Sequence, residues 1–573
     1  AEREARMPLM LFSLVSAALT LDFPSRWAVG EPRRAAADPR MAVGEPLRAA
    51  GEPWRDAGEA LASATTPAEA QQVPKSSHVF CNRALNMAGI QAVGFDMDYT
   101  LAEYIPETFD MLAYDGALEK LVTRMGYPED CRKFKYDPYK YMRGLVIDKK
   151  RGNLLKLDRH KYVKVAYHGL DRMTSEERKA IYARSFETAP SFTPPDFSTI
   201  DTAFLLVDAC LFCQLVSYKD AHPGAIGKSY EAIYKDVRRA VDLCHCDGVI
   251  KDAVAVNPAK YIKADPELPR MLTQLRQGGK QVFVVTNSLF DYTDVVCRHL
   301  MGTNWLDYFD LVICGARKPG FLLDPYLPIF QVRPDGSLIN VDLIGPQDAP
   351  RLLQRSRVFQ GGNWQHLHSL LGLQSGSGLL YVGDHMYSDI LRSKRTLGWR
   401  TLLIVPELRE EVEKAEGTLA LAAKVDEAYD ARARLEARLR HLEMRRSQME
   451  LDSEIEALLG EGLNDDHDGG SSTIEAAMAA LDDQIAECRE DQRHLSAKID
   501  AELSNLHNAF HPEWGRLFKA GHQNSRWAQQ VQDYACLYTS HVTNLVHFSP
   551  DTSFRALSDL MPHDRDAVDR PLR

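Results

Sequence analysis

A chain of 573 residues with 45% hydrophobic content carries enough apolar side chain for roughly two or three globular cores. Its formal net charge of −11 argues against a nucleic-acid groove, because neutralising backbone phosphates takes a concentrated excess of Lys and Arg. A small anionic ligand is not excluded, since a few local cations can hold one whatever the net charge.

Residues 1–78 read as a disordered or targeting leader. They are rich in Ala, Arg, Pro, Gly and Glu and carry a degenerate repeat, Ala28-Val29-Gly30-Glu31-Pro32 and Ala42-Val43-Gly44-Glu45-Pro46, which is a poor basis for a core. The apolar run Leu9 to Leu21 inside it is too short to span a bilayer; a signal h-region or an organelle-targeting leader is the alternative to a cytoplasmic protein. Ten scattered cysteines in mostly apolar surroundings fit reduced intracellular thiols better than a disulfide framework. The pairs Cys210/Cys213 and Cys244/Cys246, with His245 between the latter, have a zinc-like look, but Ala203 to Val216 is a mostly apolar segment rather than a polar turn.

Ordinary folded sequence starts near Val79. Residues 79–110 open an α/β core in which Ile90 to Phe95 is an expected strand ending at Asp96. Residues 111–255 form a long insertion, the expected place of a cap that selects the substrate. The core resumes over 256–407, with strands expected at Gln281 to Val285, Phe309 to Cys314 and Gly378 to Val382. Strands alternating with helical stretches predict a Rossmann-like, doubly wound parallel sheet with its site at the carboxyl ends of the strands. Over 408–510, Leu435, Leu439, Leu442 and Met449, then Ile474, Met478, Leu481, Ile485, Cys488, Leu495 and Ile499, follow coiled-coil spacing on either side of a break from Asn464 to Thr473. A helical coiled-coil hairpin is expected there, with a pair of surface helices packed on the core as the plain alternative, and residues 511–573 are expected to return to the core.

Four motifs stand in order: Asp96-Met97-Asp98-Tyr99-Thr100, Thr286-Asn287-Ser288, Lys318, and Gly383-Asp384 with Asp389. Two aspartates one residue apart at a strand end can divide the work of phosphate-ester cleavage. Asp96 would attack phosphorus and form an aspartyl-phosphate, and Asp98 would protonate the leaving oxygen and later deprotonate the hydrolytic water. Mg²⁺ would sit on Asp96, Asp384 and the carbonyl of Asp98, with Asp389 in support, because it prefers oxygen ligands. Thr286 and the backbone at Asn287 would bind the phosphoryl group, and Lys318 would offset the crowded negative charge. Singly, an Asp-x-Asp is often only a turn or a helix cap. The ordered set is what reads as one site.

The strings Gly94-Phe95-Asp96-Met97-Asp98-Tyr99-Thr100-Leu101-Ala102, Ala316-Arg317-Lys318-Pro319 and Tyr381-Val382-Gly383-Asp384-His385 through Ile390 resemble the cytosolic purine 5'-nucleotidase and 5'-nucleotidase domain-containing family of the haloacid dehalogenase superfamily. The likeness extends from about Val79 to Asp564, including Arg143-Gly144-Leu145-Val146, Gly152-Asn153-Leu154-Leu155-Lys156 and Leu560-Met561-Pro562-His563. It implies a Mg²⁺-dependent hydrolase acting on purine nucleoside 5'-monophosphates such as IMP or GMP, with phosphotransfer as a second reaction and a homo-oligomeric assembly. It also implies that Phe204 packs on the base while Arg238, Asp242, His245 and Lys251 read it; a helix-surface ion pair is the plain alternative for these charges. Cys246 and Asp201 depart from the family pattern, and Asp201 disfavours binding of a phosphate-bearing effector. No membrane or nucleic-acid partner is expected. A scaffold that binds nucleotide weakly and acts through its coiled coil is the competing reading.

Overall fold

The computed structural model describes residues 73–183, 191–341, 345–460 and 470–556. The chain divides into two units, Ala1–Pro74 and Lys75–Arg573, so the leader, its repeat and Leu9 to Leu21 fall almost wholly outside the described residues, as do Leu560 to His563 and Asp564.

The second unit is organised by a ten-stranded sheet in the order Phe80–Cys81, Leu537–Thr539, Arg400–Ile404, Leu379–Gly383, Ala92–Phe95, Gln281–Val285, Leu311–Cys314, Val358–Gly361, Ile329–Val332, Leu338–Asn340. The strands from Leu537–Thr539 through Val358–Gly361 run parallel, and the outer ones pair antiparallel. The central strands read as continuous apolar runs because both of their faces are buried. Val93, Phe95, Val282, Val284, Val312 and Val382 enter one core cluster, while the alternate residues Ala92, Phe283, Val285, Leu311, Ile313 and Tyr381 enter the other. Gly94 is required by packing: a Cβ there would lie 2.1 Å from the Phe283 ring, which closes over the strand.

Three strands start later than the sequence suggests, one of them by a single residue, at Leu379, because Gly378 belongs to the turn Gly376–Gly378. Ile90 closes the turn Met87–Gly89 by donating its N–H to the Met87 carbonyl, so its strand begins at Ala92. Phe309 likewise ends the turn Trp305–Tyr308, and its strand begins at Leu311.

Between Phe95 and Gln281 the chain builds the helix Pro106–Met125 and a separate antiparallel five-stranded sheet. That sheet runs Asp171–Arg172, Val163–His168, Asn153–Leu157, Val146–Asp148, Phe197–Thr199, and the helices Leu205–Ala221 and Tyr230–Cys246 follow it. After Glu407–Gly417, the helices Leu419–Gly460 and Gly470–Phe510 lie side by side. Leu442 packs with Leu481, Ile485 and Cys488, and Val425 with Leu506 and Phe510, so the two helices run antiparallel. Of the stretch read as a break, residues 464–469 lie outside the described residues, and the second helix starts at Gly470, since Ser and Thr cost a helix only tenths of a kcal/mol, roughly. Among the described residues, no helix is long and apolar enough to cross a membrane.

Candidate active site

Parallel neighbours bring their carboxyl ends to one edge, and the first, second and fourth motifs begin where strands stop. Asp96 follows Phe95, Thr286 follows Val285 and Asp384 follows Gly383, while Lys318 lies just beyond Cys314. Register places Phe95 opposite Val382 on one side and Val284 on the other. Gly383 lets the fourth motif fold back on itself, since a Cβ would lie 2.6 Å from Asp389 Oδ2.

Carboxylate oxygens of Asp96, Asp384 and Asp389 lie within 4.8 Å of one another. Lys318 Nζ, itself buried, bonds Asp96 Oδ2 at 2.9 Å, Asp389 Oδ1 at 2.8 Å and Tyr381 Oη at 3.0 Å. Asp96 Oδ1 accepts the Met97 N–H at 2.7 Å, and the Asp96 side chain is 13% exposed, which leaves an approach from outside. Burial pushes the Asp96 carboxyl well above the usual carboxylate range against the pull of Lys318, and the nearby carboxylates of Asp389 and Asp384 push it further. Burial also pushes Asp384 up to about 6, with Asp389 adding to it. For Lys318 burial works against the charge, yet Asp389 and Asp96 hold its ammonium well above the usual lysine range. An all-carboxylate oxygen cluster short of positive charge suits a hard divalent cation.

Asp98 turns elsewhere. Tyr104 Oη donates to its Oδ1 at 2.6 Å and Ser288 Oγ to its Oδ2 at 2.9 Å, and burial raises its pKa despite those bonds. Tyr292 Oη stands 3.0 Å from Tyr104 Oη, and the Lys251 ammonium lies over the Tyr292 ring at 5.7 Å. The turn that aims both aspartates closes on the Met97 carbonyl, which receives the N–H groups of Thr100, Leu101 and Ala102, with Tyr99 at φ 56°. Thr286 is fully buried, and its Oγ1 accepts the Ser288 N–H. Asn287 braces the third motif, taking the Lys318 N–H at 2.6 Å and donating to the Lys318 carbonyl at 3.3 Å.

The inserted segment holds the other expected residues. Phe204 meets Tyr99 edge-on at 4.7 Å and His245 at 5.6 Å. Arg238 bonds Asp242 on its own helix, and its Nη1 also reaches Asp208 Oδ2 at 2.6 Å. Burial, with Arg238 nearby, lowers the His245 pKa to about 4, so its imidazole is neutral near neutral pH. The helix-surface ion pair therefore exists, but it is one arm of a clamp whose other arm, Asp208, is fully buried. Sequence reading missed Tyr104, Asp208 and Thr202, whose hydroxyl bonds Asp384. Tyr104 lies close enough to Asp98 to have been found; Asp208 and Thr202 act only across the fold. The zinc-like pairs do not assemble: all ten cysteines are free, and the carboxylate trio is the metal-type cluster among the described residues.

A model of the 5' nucleotidase family matches residues 79–566, and the chain belongs to that family. The 5'-nucleotidase domain-containing protein 2 of Rattus norvegicus is 31% identical over 363 residues, covering 60% of this chain and 62% of that protein. The Homo sapiens protein of that name is 31% identical over 361 residues, covering 60% of this chain and 66% of its own length. The match thus spans less than two thirds of either relative. Among solved structures, CbbY from Rhodobacter sphaeroides in complex with phosphate covers 55% of this chain and 86% of its own at 13% identity, but its TM-score of 0.19 adds nothing to the fold read from the sheet.

Proposed function

We propose that the chain is a 5'-nucleotidase that hydrolyses purine nucleoside 5'-monophosphates through an aspartyl-phosphate on Asp96. The observation that carries this reading is one partly open carboxylate, Asp96, held between a buried ammonium and two further carboxylates. Asp96 attacks phosphorus, the bond to the nucleoside 5'-oxygen breaks, and Asp98 delivers a proton to that oxygen. Asp98 then takes a proton from water, whose oxygen attacks the phosphoryl group and frees Asp96 and phosphate. Tyr104 and Ser288 fix the Asp98 carboxyl for both transfers. Lys318 and the backbone at Asn287 stabilise charge on the phosphoryl oxygens. Mg²⁺, held by Asp96, Asp384 and the carbonyl of Asp98 with Asp389 beside them, would supply further charge neutralisation for the phosphoryl group.

The segment 111–255 serves as the cap. Phe204 offers an aromatic edge to the base, and Arg238 with Asp242 offers donors and an acceptor to a purine's polar rim. The helical hairpin within 408–510 serves assembly, as a homo-oligomer, outside the chemistry, and passing the phosphoryl group to a second nucleoside is a natural side reaction.

The test is phosphate release from a panel of purine and pyrimidine nucleoside monophosphates with Mg²⁺. Wild type is expected to favour IMP and GMP, and Asp96→Asn to lose roughly 10³-fold or more of that activity. Equal inertness of wild type and Asp96→Asn would leave the scaffold reading in place.

A further inference from the structure

Asp384 is held by the inserted segment as well as by its own strand. Thr202 Oγ1, on the turn between Phe197–Thr199 and Leu205–Ala221, donates to Asp384 Oδ2 at 3.0 Å, and both residues are buried. Arg143, also buried, reaches the Asp384 carbonyl from Nη1 at 3.0 Å and is anchored by Glu407 Oε1 at 2.8 Å. One residue beyond His385, the Met386 N–H meets the Asp201 carbonyl at 3.4 Å. The inserted segment therefore grips the carboxylate, the peptide carbonyl and the following backbone of this one turn.

We infer that Thr202 is a positioning residue that aims the Asp384 carboxylate at the metal site, so that the inserted segment completes that site. The inference rests on the functional reading above. Asp96 and Asp389 crowd Asp384 with like charge, and rotation about its side chain would relieve the repulsion. A hydroxyl donated to Oδ2 opposes that rotation and leaves Oδ1 for a cation. Hydrogen bonds to ligating carboxylates commonly change metal affinity by roughly 10- to 100-fold. Valine keeps the branched shape of threonine without the donor, and serine keeps the donor.

The experiment titrates the full chain with Mn²⁺ alone, following free Mn²⁺ by electron paramagnetic resonance, with Mg²⁺ competition. Thr202→Val is expected to bind roughly 10-fold or more weakly at an unchanged thermal transition, and Thr202→Ser to stay within roughly threefold of wild type. Should Thr202→Val not fold, Thr202→Ala against Thr202→Ser makes the same comparison. Wild-type affinity in the variant lacking the hydroxyl, or equal loss in the serine variant, overturns the proposal. The titration needs no substrate, so loss in Thr202→Val alone supports the inference even if the nucleotide panel is inert. A wild type that binds no Mn²⁺ overturns both.

Discussion

Asp98 takes two hydrogen bonds from side chains while Asp96 takes one from the backbone and one from an ammonium, and this asymmetry separates the two acids of the first motif. Asp96, the proposed nucleophile, sits against positive charge, and Asp98, the proposed acid–base residue, sits in a web of hydroxyls. Replacing Tyr104 by Phe keeps the ring stacked on Phe109 at 4.0 Å but removes the hydroxyl that orients Asp98. The expected result is a fall in kcat of roughly 10-fold with a stability cost of about 1 kcal/mol. Steady-state kinetics with an unchanged kcat would show that Asp98 needs no such brace. At this scale the sequence was legible where the partners are neighbours in the chain or stand at strand ends. It was silent on Thr202 and gave Arg143, quoted within a family-like string, no partner; their shared target Asp384 is 182 and 241 residues away, and no local pattern marks a contact that only the fold creates.

Strands and helices were legible to different degrees for physical reasons. Gln281–Val285 was read to the residue, because an apolar run buried on both faces ends sharply at a polar motif. Starts were harder: Ile90 and Phe309 are apolar but close turns. The seam of the long helices was visible as a heptad pattern, yet the start of the second helix was hidden by its Gly, Ser and Thr. That seam has its own small cluster of Leu442, Leu481, Ile485 and Cys488, apart from the cores that carry the site. Ile485→Asp puts a charge into it at a cost of roughly 3 kcal/mol or more, enough to open the pair locally. Far-ultraviolet circular dichroism should lose helix while phosphate release stays within roughly twofold of wild type. Parallel loss of catalysis would place the hairpin in the chemistry.

Across the whole molecule, Glu103 joins three distant parts. Lys263 Nζ bonds it at 2.5 Å and His541 Nε2 at 3.3 Å, so both chain crossings of the insertion meet the C-terminal segment. Burial opposes its ionisation, but the bonds from His541 and Lys263 outweigh it and lower the pKa from 4.5 to about 2. A depressed carboxyl binds fewer protons folded than unfolded, so its contribution is full above about 4.5 and is lost as pH falls through about 2. Urea unfolding across that window should show wild type losing on the order of 3 kcal/mol more than Glu103→Gln. Identical pH slopes would remove Glu103 from the account. The proposed hydrolysis depends on a covalent phosphoryl group on Asp96. Acid quenching of the wild-type chain during turnover of a purine nucleoside monophosphate, followed by peptide mass mapping, is the direct measurement. One phosphoryl group is expected on the peptide bearing Asp96 and none in Asp96→Asn. Steady phosphate release from wild type with no adduct on that peptide, or undiminished release from Asp96→Asn, would contradict the proposal.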